Sequence, residues 1–389
     1  MNFKYYIPTK ILFGRGQLAN LHKEKLPGTR ALIVTTGGRS VVDNGYLART
    51  EEELKAAGCT FVLFNKITAN PDRSEVMDGA ALAKAENCDF IVGLGGGSPI
   101  DAAKAIAVMA TNPGDYWDYM VRGTGGGRPV SVTPLPVVAI TTTAGTGTEA
   151  DPWTVISNAA TGEKFGFGID GTFPVLAVVD PELMLTVPRD YTVFQGFDAL
   201  FHSLEGYLAN IATPISDIFA LKAVSLIAEN LPAAVFDGGD IAARENMALA
   251  NTLSGMVEST SGCISEHALE HILSGVYKKL PHGAGLIMLS VAYFSKIAEK
   301  HTSDDRLVEL AKALGNKNAK TPEDFIAALQ KLQQACGADK LKMSDYGIEK
   351  ERLREFAAAA KTQNALSFRL DPCDLSIADC AEIYERSYR

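Results

Sequence analysis

The 389-residue sequence is short of several things, and each shortage excludes a class of protein. Positive charge is scarce: 37 Lys and Arg stand against 46 Asp and Glu, a net of −9. A nucleic-acid binder shows the opposite balance, so no nucleic-acid partner is expected. Cysteine is sparse and scattered, at Cys59, Cys88, Cys263, Cys336, Cys373 and Cys380, with no pair at CxxC spacing. That argues against a zinc knuckle or a disulfide framework and for a reduced, cytoplasmic setting. Long apolar runs are missing too. The longest, from Gly283 to Phe294, falls short of the ~20 residues of a spanning helix and reads as a core helix. The opening Met1-Asn-Phe-Lys-Tyr-Tyr-Ile lacks the apolar core of an export signal. A soluble protein with no membrane partner is the expectation.

What is present is a globular composition, 47% hydrophobic with 21% charged residues, and a change of pattern along the chain. In the first half, short apolar runs alternate with amphipathic segments. Ala31–Thr35, Phe61–Phe64, Asp89–Leu94, Pro136–Ile140 and Val175–Val179 read as strands covered on both faces. Arg49–Ala57 and Arg73–Glu86 read as helices between them, which predicts βαβ units and a parallel sheet. After Asp180-Pro181 the strand-like runs stop. Thr213-Pro214 is a helix start, followed by Ala220, Ala223, Val224 and Ile227 at helical spacing. Further helices are expected over Ile241–Val257, Gly285–Glu299, Asp304–Leu314 and Thr321–Gln334. The predicted architecture is an α/β domain over residues 1–182 and an all-helical domain over residues 183–389.

Three glycine-rich segments follow strands in the first half. In Leu94-Gly-Gly-Gly-Ser-Pro-Ile-Asp-Ala-Ala-Lys104 a strand gives way to a helix. Glycines there allow a ligand to approach the backbone, and the helix N–H groups and dipole suit a pyrophosphate. Alone, such a turn is also an ordinary strand-to-helix connection. Thr35-Thr-Gly-Gly-Arg-Ser40 carries an arginine and no acid before Val42. In dinucleotide sites an acid here holds the ribose hydroxyls, whereas Arg accommodates a 2′-phosphate. NADP(H) is therefore expected in preference to NAD(H). The third segment, Thr141-Thr-Thr-Ala-Gly-Thr-Gly-Thr-Glu149, offers hydroxyls and amides to the same ligand.

The second half concentrates the histidines. Of the six in the chain, four fall in two compact groups. Asp198-Ala-Leu-Phe-His202 puts a carboxylate and an imidazole on one helix face, beside an apolar stripe of Phe197, Leu200, Phe201, Leu204 and Leu208. His267-Ala-Leu-Glu-His271 repeats the spacing, and His282 follows Pro281. Taken singly, each is an ordinary surface pair or loop residue. Together, one carboxylate and three of four imidazoles make a ligand set for Fe²⁺ or Zn²⁺. The fourth imidazole is then available as a proton carrier.

These residues resemble one family over essentially the whole chain, the iron-containing, or group III, alcohol dehydrogenases. Phe13-Gly-Arg-Gly16 is similar to its early FGxG turn. Gly95–Lys104 matches its GGGSxxDxAK loop, and Thr142–Glu149 resembles its TTAGTGSE segment, with Thr148 in place of Ser. Gly196–His202 and His267–His271 with Pro281-His-Gly283 resemble its two metal signatures. The resemblance implies an architecture like that of dehydroquinate synthases, and reversible hydride transfer between a nicotinamide cofactor and a small alcohol or aldehyde. It implies Asp198, His202, His267 and His282 as metal ligands, for Fe²⁺ with Zn²⁺ possible, and His271 as the non-ligand histidine beside the nicotinamide. Gly95, Gly96, Gly97, Ser98 and Asp101 would serve the cofactor with Thr142, Thr143 and Thr146, and Gly37, Gly38, Arg39 and Ser40 would meet its 2′ end. A homodimer is implied as well.

The chain departs from the family pattern in two places. The His271–His282 interval is one residue longer than in many members, and Asp151-Pro-Trp153 replaces a Val/Thr-rich stretch. Both fall where the family's substrate pocket lies, so the alcohol is not specified. A glycerol dehydrogenase-like polyol enzyme is one competing reading. A dehydroquinate synthase-like lyase is another, but it calls for Lys and Arg near the metal. The segments Gly196–His202 and His267–His271 carry none. A non-catalytic metal and nucleotide sensor would need an output domain, and none is recognisable.

Overall fold

A computed structural model describes residues 2–389. Its chain forms two compact units, Tyr6–Thr186 and Val187–Arg389, the second joined by residues 2–5. The first unit is built on a six-stranded parallel sheet. Its strands are β1 (Lys10–Phe13), β2 (Arg30–Thr36), β3 (Thr60–Ile67), β4 (Phe90–Gly95), β5 (Val137–Thr141) and β8 (Leu176–Val179), in the order β1-β8-β5-β4-β2-β3. The five strands expected from apolar runs are all present. Strand β1 and the antiparallel hairpin of β6 (Thr154–Asn158) and β7 (Glu163–Phe167) add to them.

The central strands are apolar on both sides because both sides are covered. Leu32, Val34, Ile91 and Val137 point to one core, with α3 (Arg73–Ala85) and α4 (Gly97–Thr111). Ala31, Ile33, Phe90, Val92, Val138 and Ile140 point to the other, with α2 (Tyr46–Ala56), which follows the short α1 (Ser40–Asp43). Each large aliphatic side chain so buried contributes about 1.5–3 kcal/mol. Helix α4 lies close to the sheet because Gly93 has no side chain. A Cβ there would stand 3.0 Å from the Ile100 backbone. Crossover direction reverses at β2 and β4, which are neighbours in register through Val34 and Gly93. In an open parallel sheet, ligands bind beyond the carboxyl ends of the strands at such a reversal.

The second unit is helical: α5 (Arg189–Leu208), α6 (Pro214–Phe236), α7 (Ile241–Ser261), α8 (Ser265–Val276), α9 (His282–Glu299), α10 (Asp304–Ala313), α11 (Pro322–Cys336), α12 (Leu353–Gln363), α13 (Ala365–Phe368) and α14 (Ile377–Ser387). Thr213 caps α6 through the Ser216 N–H, with Pro214 at its first position, as the sequence predicts. By length and apolarity α6 alone among the described helices is long enough to cross a membrane. It packs against α5 and α7, and its Ala220, Ala223, Val224 and Ile227 are all buried. Helix α5 is buried along nearly its whole length. Its neighbours reach it through glycines: Leu231 fills the space at Gly196, and Val257 the space at Gly206.

Candidate functional site

In the helical unit, three elements bring the histidine groups together. Helix α5 carries Asp198 and His202, α8 carries His267 and His271, and α9 begins at His282. The apolar helix expected from Gly285 thus starts three residues earlier. Pro281 is its N-cap, so His282 is the first residue of the helix and not a loop residue ahead of it. Gly283 sets the crossing of α9 on α5, since a Cβ there would lie 2.1 Å from the carbonyl oxygen of Phe194. Gly285 does the same against the side chain of Glu270, at 2.7 Å.

The outcome is a convergence on one oxygen. Asp198 Oδ1 lies 3.7 Å from His202 Nε2, 3.6 Å from His267 Nε2 and 3.5 Å from His282 Nε2. Two donors bound to one cation at ~2.1 Å in tetrahedral geometry stand about 3.4 Å apart, so these separations are those of a ligand shell. Asp198 Oδ1 and His267 Nε2 are buried with no hydrogen-bond partner. Such orphaned atoms are costly unless something else satisfies them, and a cation does so for both. His202 and His267 stack at 4.6 Å between ring centroids, and His282 is 5.2 Å from His267. His271 lies one turn beyond His267, its ring 5.2 Å from His282 and 6.1 Å from His267.

Charge points the same way. Burial pushes the Asp198 carboxyl up, but the imidazoles of His202, His282 and His267 outweigh it and hold it far below the usual carboxylate range. Burial likewise disfavours a charged His267, yet Cys263, Glu205 and Asp198 raise its pKa well above the ordinary value. The pocket is rich in anionic groups and favours a cation.

The sequence pattern missed the carboxylates behind the imidazoles. Nδ1 of His267 hydrogen-bonds Glu205 Oε1, and Nδ1 of His282 hydrogen-bonds Glu270 Oε2. Glu205 and Glu270 are fully buried. By accepting an Nδ1 proton each would leave the Nε2 lone pair free for a cation, a task carboxylates perform at metal sites. Glu258 on α7 reaches His202 Nε2 at 3.6 Å. Helical position hints at Glu205 and Glu270, one turn from His202 and His267, but their burial depends on partners elsewhere in the chain.

In the α/β unit, the glycine segments lie where the sheet topology places a ligand. The β4 and β5 loops touch. A Cβ on Gly96 would lie 2.9 Å from Thr143 Oγ1, and one on Gly97 2.5 Å from Thr146 Cγ2. Gly95 has φ +141°, outside the comfort of other residues, and its carbonyl accepts the Thr142 N–H at 2.9 Å. Ser98 sits in the first turn of α4, whose N-cap, Gly96, supplies no side-chain acceptor, so its amides are open to an anion. Gly37 and Gly38 follow β2, with the Gly37 N–H bonded to the Ile67 carbonyl. Arg39 and Ser40 open α1, where Arg39 pairs with Asp43 at 3.0 Å in a largely exposed contact.

Asp101 is placed differently from its neighbours in the loop. Its Oδ1 accepts from Thr148 Oγ1 at 2.6 Å and its Oδ2 from the Val155 N–H at 2.9 Å, both inside the domain. Fully buried Lys104 donates to Thr148 Oγ1, Asp151 Oδ1 and the carbonyls of Asp151 and Trp153. The Asp and Lys of the GGGSxxDxAK pattern thus clamp the segment that follows the threonine loop. Asp151, expected at a substrate pocket, belongs to this clamp.

A six-stranded parallel sheet with a glycine loop at its reversal point, and a helical unit with a convergent carboxylate–imidazole site, suit a class of protein that holds a nucleotide and a metal ion. Comparison with known proteins names the class. Residues 8–181 match the family model described as iron-containing alcohol dehydrogenase, and residues 192–388 match the model for the C-terminal part of that family. The chain is 35% identical to the NAD-dependent methanol dehydrogenase of Bacillus methanolicus, over 92% of each chain. It is 33% identical to the 1,3-propanediol dehydrogenase of Klebsiella pneumoniae, over 94% of each. An archaeal halo-thermophilic alcohol dehydrogenase from a Red Sea brine pool superposes with a TM-score of 0.94 at 33% identity, covering 100% of this chain and 99% of that one. The chain belongs to the iron-containing alcohol dehydrogenases and is an alcohol oxidoreductase of that family.

Proposed function

We propose that the protein transfers hydride reversibly between NADP(H) and a small primary alcohol or its aldehyde, with Fe²⁺ held by Asp198, His202, His267 and His282. Zn²⁺ is the alternative ion for the same donors. The observation that carries the reading is the approach of three Nε2 atoms to the unpartnered Asp198 Oδ1. Relatives named for methanol and 1,3-propanediol support a short alcohol as substrate.

When bound, the cation supplies Lewis acidity, which takes a hydroxyl pKa from about 15.7 to about 7 in the case of water, and the nicotinamide supplies the hydride acceptor. The chain does the rest. Asp198 is the one anionic donor. Glu205 and Glu270 fix the tautomer and orientation of His267 and His282. His271, beside His282, takes the alcohol proton and passes it to solvent. Gly95 to Ser98 and the first turn of α4 seat the pyrophosphate, with Thr142, Thr143 and Thr146 alongside. Arg39, whose exposed pairing with Asp43 is worth little, turns to a 2′-phosphate. Six unpaired cysteines suit a cytoplasmic enzyme, and a homodimer follows from the family resemblance.

Anaerobic purification with metal analysis, followed by NADPH oxidation with a panel of short aldehydes with and without chelator, tests the reading. One iron per chain and chelator-sensitive turnover are expected. Metal-free protein with full turnover overturns it.

A further inference from the structure

Cys263 has no part in the proposed reaction, yet it stands at the metal centre. Donor atoms of His202, Cys263 and His267 all lie within 4.8 Å of one another. Helix α7 ends at Ser261, and Gly262, at φ +70°, reverses the chain so that Cys263 faces the centre just before α8. Glu258, on the last turn of α7, adds a carboxylate 3.6 Å from His202 Nε2. The two imidazoles are each 5% exposed, and the Nε2 of His267 has no hydrogen-bond partner.

We propose that Cys263, His202, His267 and Glu258 form a second ligand set, for a soft, thiophilic divalent cation such as Cd²⁺, which overlaps the Asp198 set and excludes it. The inference rests on the metal-centre reading above. A set with a thiolate among two nitrogens and one oxygen favours a soft ion, whereas an oxygen and three nitrogens with an open position suit Fe²⁺ or Zn²⁺. The two sets cannot fill together, because both need His267 and His202. The Nδ1 of His267 is committed to Glu205, so its Nε2 serves one ion only. Closing the triad of Cys263, His202 and His267 asks for a small movement. Ligand atoms on a tetrahedral ion stand about 3.5 Å apart, roughly 1 Å nearer than the outer limit of this triad. The thiol proton leaves to bulk water as the sulfur–metal bond forms. The centre then selects its metal by softness: a hard ferrous ion takes the Asp198 side, and a soft ion takes the Cys263 side and displaces it.

Titrating the metal-free full chain with Cd²⁺ reads the sulfur–metal bond directly, through thiolate-to-cadmium absorption in the ultraviolet. That band should saturate at one cadmium per chain and be absent from Cys263→Ser, which still takes up Fe²⁺. Cadmium bound without the band, or a band that survives in Cys263→Ser, overturns the proposal, and the wild-type result alone suffices if the variant does not fold. Equimolar Cd²⁺ added to the iron-loaded protein should release ferrous ion to a chelator, and Cys263→Ser should retain its iron. One iron and one cadmium on the same chain overturn the overlap. Iron uptake and alcohol turnover are measured separately. A chain that takes iron and turns over alcohol with no cadmium band loses only this proposal, whereas a chain that takes no iron loses the proposed function.

Discussion

Asp198 Oδ1 and His267 Nε2 face each other at 3.6 Å, both buried and neither hydrogen-bonded. Helices α5 and α8 hold two unsatisfied polar atoms side by side, and a bound cation turns that arrangement from a cost into a gain. Asp198→Ala removes the only anionic donor of the four. It should lower iron content and turnover together, by more than the ~10–100-fold that loss of a supporting residue costs. Asp198→Asn keeps the shape without the charge and should also fail to hold iron. Metal analysis beside an alcohol-oxidation assay checks both, and full iron with unchanged turnover would refute the assignment.

The imidazole supports make a second, smaller prediction. Glu205→Gln and Glu270→Gln replace the acceptor that fixes Nδ1–H on His267 and His282. Iron affinity, measured by competition with a chelator, should fall about 10–100-fold in each. The fold should survive, since the amide oxygen can still accept. An unchanged affinity would mean that neither carboxylate orients its ring.

His271 should separate from the ligands. His271→Ala is expected to keep its iron and to lose about 10²–10⁴-fold in turnover, the usual worth of a positioned proton carrier. Loss of iron in that variant would show that a ligand and the relay have been exchanged.

Much of this was legible in the sequence, for identifiable reasons. Strands β2, β3, β4, β5 and β8 were visible because doubly covered strands read as continuous apolar runs. Strand β1 has four residues at the sheet edge, and the β6–β7 hairpin buries polar Thr154, Ser157, Glu163 and Lys164, so neither shows that pattern. Of the proposed ligands, His202 and His267 were visible through i, i+4 spacing with Asp198 and His271, and His282 through the scarcity of histidine. Glu205 and Glu270 were not, because an acid one turn from a histidine is ordinarily solvated. Only packing between helices buries them. Cys263 has no spacing signature at all and comes to the centre through the Gly262 reversal. Asp101 and Lys104 read as part of a phosphate loop, yet their partners are Thr148, Asp151, Trp153 and Val155, some 44 to 54 residues further on.

Arg39 decides the cofactor prediction. The wild type should saturate with NADPH at lower concentration than with NADH. Arg39→Ala should raise the KM for NADPH about 10–100-fold, the equivalent of one charged hydrogen bond of ~1.5–3 kcal/mol. The KM for NADH should hardly move. Equal efficiency of the wild type with both cofactors would mean that Arg39 remains with Asp43 and does not read a 2′-phosphate.

The buried clamp of the α/β unit predicts a pH dependence of stability. Burial pushes the Asp101 carboxyl from 3.8 up to about 7; Lys104 partly offsets this, and the second carboxylate at Asp151 adds to it. Between those two values the folded chain keeps a proton that the unfolded chain has released. Asp101 therefore contributes stability that is fully present below pH 3.8 and is lost progressively as the pH rises to about 7. Removing the titrating group by Asp101→Asn should flatten this part of the curve, read as urea midpoints across that window. The same variant should bind Fe²⁺ as the wild type does, because Asp101 is in the α/β unit and the proposed ligands are in the helical one. A parallel pH curve for the variant would show that the clamp keeps Asp101 ionised, with Lys104 balancing both carboxylates.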